Sequence, residues 1–195
     1  MRIIGGVKRG RRLVEWDDSG IRPMRDFVRG ALFNIITDFV PDAVFLDLFC
    51  GTGSVGLEAL SRGARSCTFV DRSPDACGIV RRNLDALDLL TVGEVVEGDG
   101  FEVLDRLARV GRRFDLVFVG PPYHHELALR ALDRLADGRL LTDDPVVIAE
   151  IHELEALASR FGTLVLVDRR RYGDNQLLFY RPDVDAPEGA EEAAS

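Results

Sequence analysis

The stretch with the clearest chemical meaning is D-L-F-C-G-T-G-S-V-G, residues 47–56. Gly51, Gly53 and Gly56 satisfy G-x-G-x-x-G, a spacing that lets the chain turn tightly and sets the positive end of a following helix against a bound ligand. A dinucleotide is the usual guest of such a loop. Asp47 argues against one, because like charges about 4 Å apart repel by roughly 4 kcal/mol at an intermediate dielectric and a pyrophosphate is doubly negative. The same carboxylate attracts S-adenosylmethionine, which carries a sulfonium and an ammonium and no phosphate. Asp71, expected at the end of the next strand, suits both hydroxyls of a ribose and does not discriminate between the two ligands. Gly98-Asp99-Gly100-Phe101 follows a third strand; Asp99 or its neighbouring amides suit the adenine amino group and Phe101 suits its ring, while Asp99 also fits a helix N-cap. Phe49, Thr52, Arg72 and Gly100 complete the expected cofactor-binding set.

A second pattern, F-D-L-V-F-V-G-P-P-Y-H-H, spans residues 114–125. Pro121 and Pro122 fix φ and remove two donors, so the turn is stiff and its carbonyls remain acceptors. Tyr123 offers a face on which a base can stack, worth about 1–3 kcal/mol. Gly120, Pro121, Pro122 and Tyr123 are therefore the expected catalytic turn, a holder for a planar, amino-bearing group. His124 and His125 read as an exposed turn feature, and with no cysteine or carboxylate cluster beside them no metal is expected.

These groups need a scaffold that delivers several strand ends to one edge. Strand patterns at 43–49, 66–71, 93–99, 114–120 and 145–151 alternate with helical patterns at 54–62, from Ser73-Pro74 to about Leu87, at 101–110 and at about 125–138. That alternation predicts an α/β chain with an open, mostly parallel sheet, helices on both faces, and a ligand at the switch point between the first and fourth strands. Residues 163–169 and 175–181 read as a closing antiparallel pair. Ahead of the first of these strands, residues 2–4 and 11–16 read as a β-hairpin and 24–38 as a helix with Phe27, Val28, Ala31, Leu32, Ile35 and Ile36 on its apolar stripe.

The 195 residues are 46% hydrophobic and 30% charged, with a net charge of −8, an ordinary globular balance. No membrane span and no secretory signal is expected. Cys50, Cys67 and Cys77 cannot all pair and lack metal-ligand spacing; they read as reduced thiols of a cytoplasmic protein. The charge is uneven: residues 1–30 hold eight basic side chains against four acids, and residues 182–195 hold five acids and no base. A basic head (1–40), a body (41–181) and an acidic, disordered tail (182–195) follow, with Arg2, Lys8, Arg9, Arg11, Arg12, Arg22, Arg25 and Arg29 as a polyanion surface.

Asp47 to Gly53, Asp71, Asp99 and the proline turn, in that order, resemble the S-adenosylmethionine-dependent amino methyltransferases, whose hallmark is [DN]-P-P-[YF]. IIGG (3–6), GRRL (10–13), RP (22–23), D-x-V-R-x-A-L-F-N-I (26–35), LEALSRGA (57–64) and RRYGDNQLLFY (170–180) narrow the resemblance to the RsmD-type bacterial family that methylates a guanine N2 of 16S ribosomal RNA. The resemblance implies a Rossmann-like seven-stranded sheet with an antiparallel closing strand, S-adenosylmethionine as cofactor, 16S rRNA or the 30S subunit as partner, and a monomer. Gly120 departs from it, since the family has Asp or Asn there to accept from the target amine. Losing one preorganised polar group typically costs ~2.7–4 kcal/mol at a reacting centre. Backbone carbonyls can suffice, His124 or Glu150 can substitute, or the chain is an S-adenosylmethionine-binding RNA or ribosome assembly factor with weak or altered activity. If glycine merely deletes an acceptor, Gly120→Asp raises methylation or leaves it unchanged.

Overall fold

Val44 to Leu48 form a strand because every residue but Asp47 is apolar and both faces are covered, and this strand (β1, Val44–Leu48) is the middle one of five parallel strands. The computed structural model describes residues 1–14, 24–122 and 126–183. Parallel strands β2 (Ser66–Asp71) and β3 (Gly93–Glu97) extend the sheet on one side of β1, and β4 (Phe114–Val119) and β5 (Leu141–His152) on the other. The sheet order is β3-β2-β1-β4-β5-β8-β7-β6, with β6 (Arg160–Phe161), β7 (Leu164–Tyr172) and β8 (Asn175–Pro182) antiparallel. The strand order reverses at β1 and β4, as the alternation predicts.

Helices α2 (Ser54–Ser61) and α3 (Pro74–Ala86) contribute to the core on one face, with Phe45, Phe69 and Phe118 beneath them. Helices α4 (Gly100–Arg109) and α5 (Leu127–Leu135) bury Leu104, Leu107 and Leu132 with Val117, Val119 and Val147 on the other. Alternate residues of β4 thus feed opposite cores, the period-2 signature of a strand buried on both faces.

The structure corrects several boundaries. The sheet has eight strands rather than seven, because two residues after β5 pair with β7 as a short edge. Strand β5 begins at Leu141 and not at 145, with a register break opposite Phe114 and Leu116 that accommodates Pro145. The N-terminal hairpin is reduced to one bridge between Arg2 and Arg12, and residues 15–16 lie outside the described residues. A two-stranded hairpin is marginal alone; this one keeps cross-strand bonds from Ile3 N to Arg11 O at 3.0 Å, Gly10 N to Ile3 O at 2.9 Å and Leu13 N to Met1 O at 3.1 Å, and is further anchored on α2, where Ile4 and Gly5 donate to Glu58 and Val7 and Lys8 donate to Ser61. Helix α1 (Asp26–Ile35) is shorter than 24–38 and ends in a turn of 3₁₀ helix at Thr37–Phe39. Phe27 is 76% exposed, so the buried stripe is Val28, Arg29, Leu32 and Phe33. Of the tail, residues 184–195 lie outside the described residues.

Candidate active site

The glycine loop closes over the ends of β1 and β2. Asp71 organises it: one carboxylate oxygen accepts from Gly51 N at 2.8 Å and the other from Ser73 N at 2.9 Å, while its carbonyl accepts from Gly98 N at 3.0 Å. Three strand ends are thereby tied by one residue. Gly53 opens α2 at φ +71, a left-handed value that favours glycine, and a Cβ there would lie 2.8 Å from Val80 Cγ2. Gly56 serves packing: a Cβ would come within 2.4 Å of the Phe69 ring and 2.6 Å of Cys67 Sγ, so its absence lets α2 sit directly on β2.

Asp47 is 1% exposed and lies beneath this loop rather than in the open crevice, a correction to the reading from sequence. Its Oδ2 accepts from Gly56 N at 2.9 Å. Burial raises its pKa from 3.8 to about 7, the Gly56 bond opposing and the Asp71 charge assisting. A carboxyl group held near its titration point under a loop responds strongly to any cation placed above it.

Asp99 is exposed and caps α4, accepting from Phe101 N at 2.9 Å and Glu102 N at 3.2 Å. The Phe101 ring is 7% exposed, meets Phe49 edge-on at 5.9 Å, and has the Arg130 guanidinium over it at 4.0 Å. It is therefore a buried support for Phe49 more than an open platform for a purine. Phe49 is half-buried at φ +61, and Gly100 leaves room for it, since a Cβ there would meet its ring at 2.7 Å. Thr52 is buried in the loop and Arg72 is exposed at its rim.

The proline turn stands beside this cradle. Gly120 N donates to Leu48 O at 3.2 Å, joining the end of β4 to the end of β1. Pro121 is buried and Pro122 exposed; Tyr123, His124 and His125 lie outside the described residues. A Cβ at Gly120 would lie 2.5 Å from Phe118 Cε1, so the Phe118 ring fills the room of the missing side chain. A cleft of about 360 Å³, within the usual range of ligand pockets, opens next to the turn, with Pro121, Pro122 and Leu127 in its wall and Glu126, Glu150 and Glu155 as its charged groups. Glu150 is 8% exposed and its Oε1 accepts from Asn175 Nδ2 at 2.6 Å. The sequence suggested Glu150; Glu126 and Glu155 were missed because only α5 and the end of β5 bring them to this cleft.

Arg2, Arg9, Arg11, Arg12 and Arg25 are exposed on the head, although Arg11 also donates to Ala86 O. Lys8 is half-buried and pairs with Asp88 at 3.6 Å. Arg22 lies outside the described residues. Arg29 is a correction: it is 0% exposed, donates to Arg2 O at 2.6 Å and Asp26 at 3.0 Å, and faces Glu58 at 3.6 Å. Burial lowers its pKa, opposed by the Asp26 and Glu58 charges. It is a strut inside the head and does not reach a phosphate. Sequence reasoning missed an aromatic pair, exposed Phe27 and half-buried Tyr172, edge-to-face at 5.9 Å at α1.

Among the described residues no group of three metal-ligating side chains comes together, and no helix is long and apolar enough to cross a membrane.

The sequence pattern of the family described as "Conserved hypothetical protein 95" matches residues 1–181. The chain is 36% identical over 150 residues to "Ribosomal RNA small subunit methyltransferase D" of Escherichia coli strain K12, covering 77% of this chain and 74% of that one. It is similar to the solved structure titled "Putative methyltransferase yhhF from Escherichia coli", with a TM-score of 0.83, 32% identity, and coverage of 94% of this chain and 98% of that one. A more distant neighbour in fold, at 16% identity and a TM-score of 0.64, is an RNA methyltransferase from Salinibacter ruber solved with S-adenosyl-L-homocysteine, covering 88% of this chain and 100% of that one.

Proposed function

The chain belongs to the family described as Conserved hypothetical protein 95, and from that premise we propose that it methylates the exocyclic N2 of a guanine in small-subunit (16S) ribosomal RNA, in an assembled or assembling 30S particle, with S-adenosylmethionine as donor. The observation that carries this reading is the junction made by Gly120 N and Leu48 O, which sets a phosphate-averse cradle directly beside a carboxylate-lined cleft. One half suits a cationic nucleoside and the other an N–H-rich base. The name and coverage of the Escherichia coli relative support the RNA as target.

The residues present fit the donor. Asp47 supplies a buried carboxyl under the loop that a cation above it would favour in its ionised form, and the glycines let a ligand approach the backbone. Asp47, Gly51, Thr52 and Gly53 would hold its amino-acid part, Asp71 and Arg72 its ribose, and Asp99 with Phe49 its base side, Gly100 and Phe101 supporting Phe49. When bound, S-adenosylmethionine supplies an electrophilic methyl on a cationic leaving group, so no strong base is required. The protein's task is positioning, which can contribute roughly 7–11 kcal/mol. The guanine must leave its stack, a cost of a few kcal/mol, before it can enter the cleft beside Pro121 and Pro122. Residues 1–40 act as the RNA-contacting extension of a methyltransferase domain over 41–181, with the exposed arginines of the head positioning the phosphate backbone.

The deciding experiment is transfer of a radiolabelled methyl group to undermethylated 30S particles, followed by nucleoside analysis for N2-methylguanosine. Calorimetry with S-adenosylmethionine and with NAD checks the cradle separately. The absence of an acceptor side chain at Gly120 favours one second reading, a cofactor-binding assembly factor with weak transfer. Tight S-adenosylmethionine binding and 30S binding without methyl incorporation would select it.

A further inference from the structure

We propose that Glu150 reads the Watson–Crick edge of the target guanine, accepting from N1–H and N2–H and so replacing the acceptor that position 120 lacks. The inference rests on the reading of the substrate as a guanine and names the residue that selects it.

The register of β4 and β5 carries the argument. The pairing of Phe118 with Ile148 and Val119 with Ala149 makes Gly120 and Glu150 the next neighbours, on adjacent parallel strands roughly 5 Å apart. Phe118 and Ile148 share one core, so Glu150 lies on the face that a side chain at 120 would use. That face is closed at position 120 itself, where a Cβ would meet the Phe118 ring at 2.5 Å. The carboxylate is therefore displaced by one strand, not lost.

Glu150 is also built as a site. It is 8% exposed, lines the cleft beside Pro121, and is held at 2.6 Å by Asn175 Nδ2 from β8. A carboxylate accepts several bonds at once, so holding Asn175 is compatible with receiving a base. Guanine presents two adjacent donors, N1–H and N2–H, which one carboxylate can accept together. Adenine, with an unprotonated N1, offers no such pair. Glu126 and Glu155 add negative charge to the same cleft, which favours donors and disfavours phosphate.

The test uses full-length protein, with S-adenosylhomocysteine affinity and melting temperature as controls. In Glu150→Gln the amide oxygen can still accept from Asn175, turning its NH₂ toward the base. The expected result is a loss of about 10²-fold in kcat/KM on undermethylated rRNA, with cofactor affinity unchanged. A substrate RNA carrying 2-aminopurine, which keeps the N2 amine but lacks N1–H, should be strongly disfavoured by the wild type and little disfavoured by the variant. A purely structural role for Glu150 would not shift that preference. Wild-type rates in Glu150→Gln, or an unchanged preference for guanine over 2-aminopurine, would overturn the proposal. Should that variant not fold, Glu150→Asp withdraws the carboxylate by one methylene: a loss of about tenfold with cofactor affinity kept supports the contact, and wild-type rates refute it. Wild-type protein that methylates RNA at a position other than guanine N2, or not at all, refutes the guanine reading together with this one.

Discussion

Replacing Asp47 by asparagine separates the fold's interest from the ligand's. The carboxyl is 1% exposed, and its pKa rises from 3.8 to about 7 because burial penalises the charged form. A shift of about 3 units corresponds to ~4 kcal/mol as an upper bound on the cost of keeping the group ionised. For a raised carboxylate the sign is fixed: its contribution to stability is fully present below pH about 4 and is lost as pH rises through 7. Asparagine keeps an oxygen for Gly56 N and cannot ionise. Cofactor-free wild type should therefore lose stability against Asp47→Asn across pH 4 to 7, and above pH 7 the variant should melt higher, by at most roughly 8–16 °C. Binding of S-adenosylmethionine should move the other way, weaker in the variant at pH 8. Thermal melts of both proteins across pH 4 to 8.5, with calorimetry at the upper end, make the measurement. Melting curves that stay parallel across that range would refute the burial penalty on the ionised carboxyl, and an S-adenosylmethionine affinity at pH 8 unchanged in Asp47→Asn would remove the electrostatic case for a cationic guest.

Glu58→Gln should destabilise by at most roughly 3–5 kcal/mol, because it leaves buried Arg29 with Asp26 as its remaining counter-charge and loosens Ile4 and Gly5; denaturant unfolding and protease sensitivity of residues 1–14 report it. Gly56→Ala should cost about 1–3 kcal/mol, since its methyl would press on Phe69 and Cys67, and should lower the melting temperature without touching RNA affinity. Arg9→Ala with Arg12→Ala should weaken RNA binding and reduce the slope of log affinity against log salt by about 1 per arginine, whereas Arg29→Lys should lower stability and leave that slope unchanged. Gly120→Asp should lower methyl transfer, contrary to the expectation from sequence, because the new side chain must displace the Phe118 ring and stand beside Glu150; a rise in kcat would contradict this.

The sheet was readable because β1 and β4 are nearly continuous apolar runs, the other parallel strands hold apolar cores, and the crossover helices carry clean caps such as Ser73 with Pro74 and Asp99. The residues of the cradle were readable because glycines and acids stood at strand ends. What escaped is what depends on contacts across distant segments. Arg29 sits among arginines in the sequence, yet its surroundings come from Asp26, Arg2 and Glu58. Asp47 carries no mark in sequence of whether it faces the crevice or lies beneath it. The two-residue β6 is too short for any periodicity, and the neighbour relation of Gly120 and Glu150 exists only once β4 and β5 are in register.

The position of β8 has a consequence for how the molecule assembles. It inserts between β5 and β7 although it follows both in the chain, so until it docks, the apolar run Val146–Ile151 is left with an unpaired edge. Such an edge invites pairing with other chains, and a strand that must be threaded in late slows folding. Asn175, which steadies Glu150, arrives on that same strand. Completion of the barrier against aggregation and completion of the acceptor cleft are thus one event, and variants that delay β8 should lose soluble yield and turnover together.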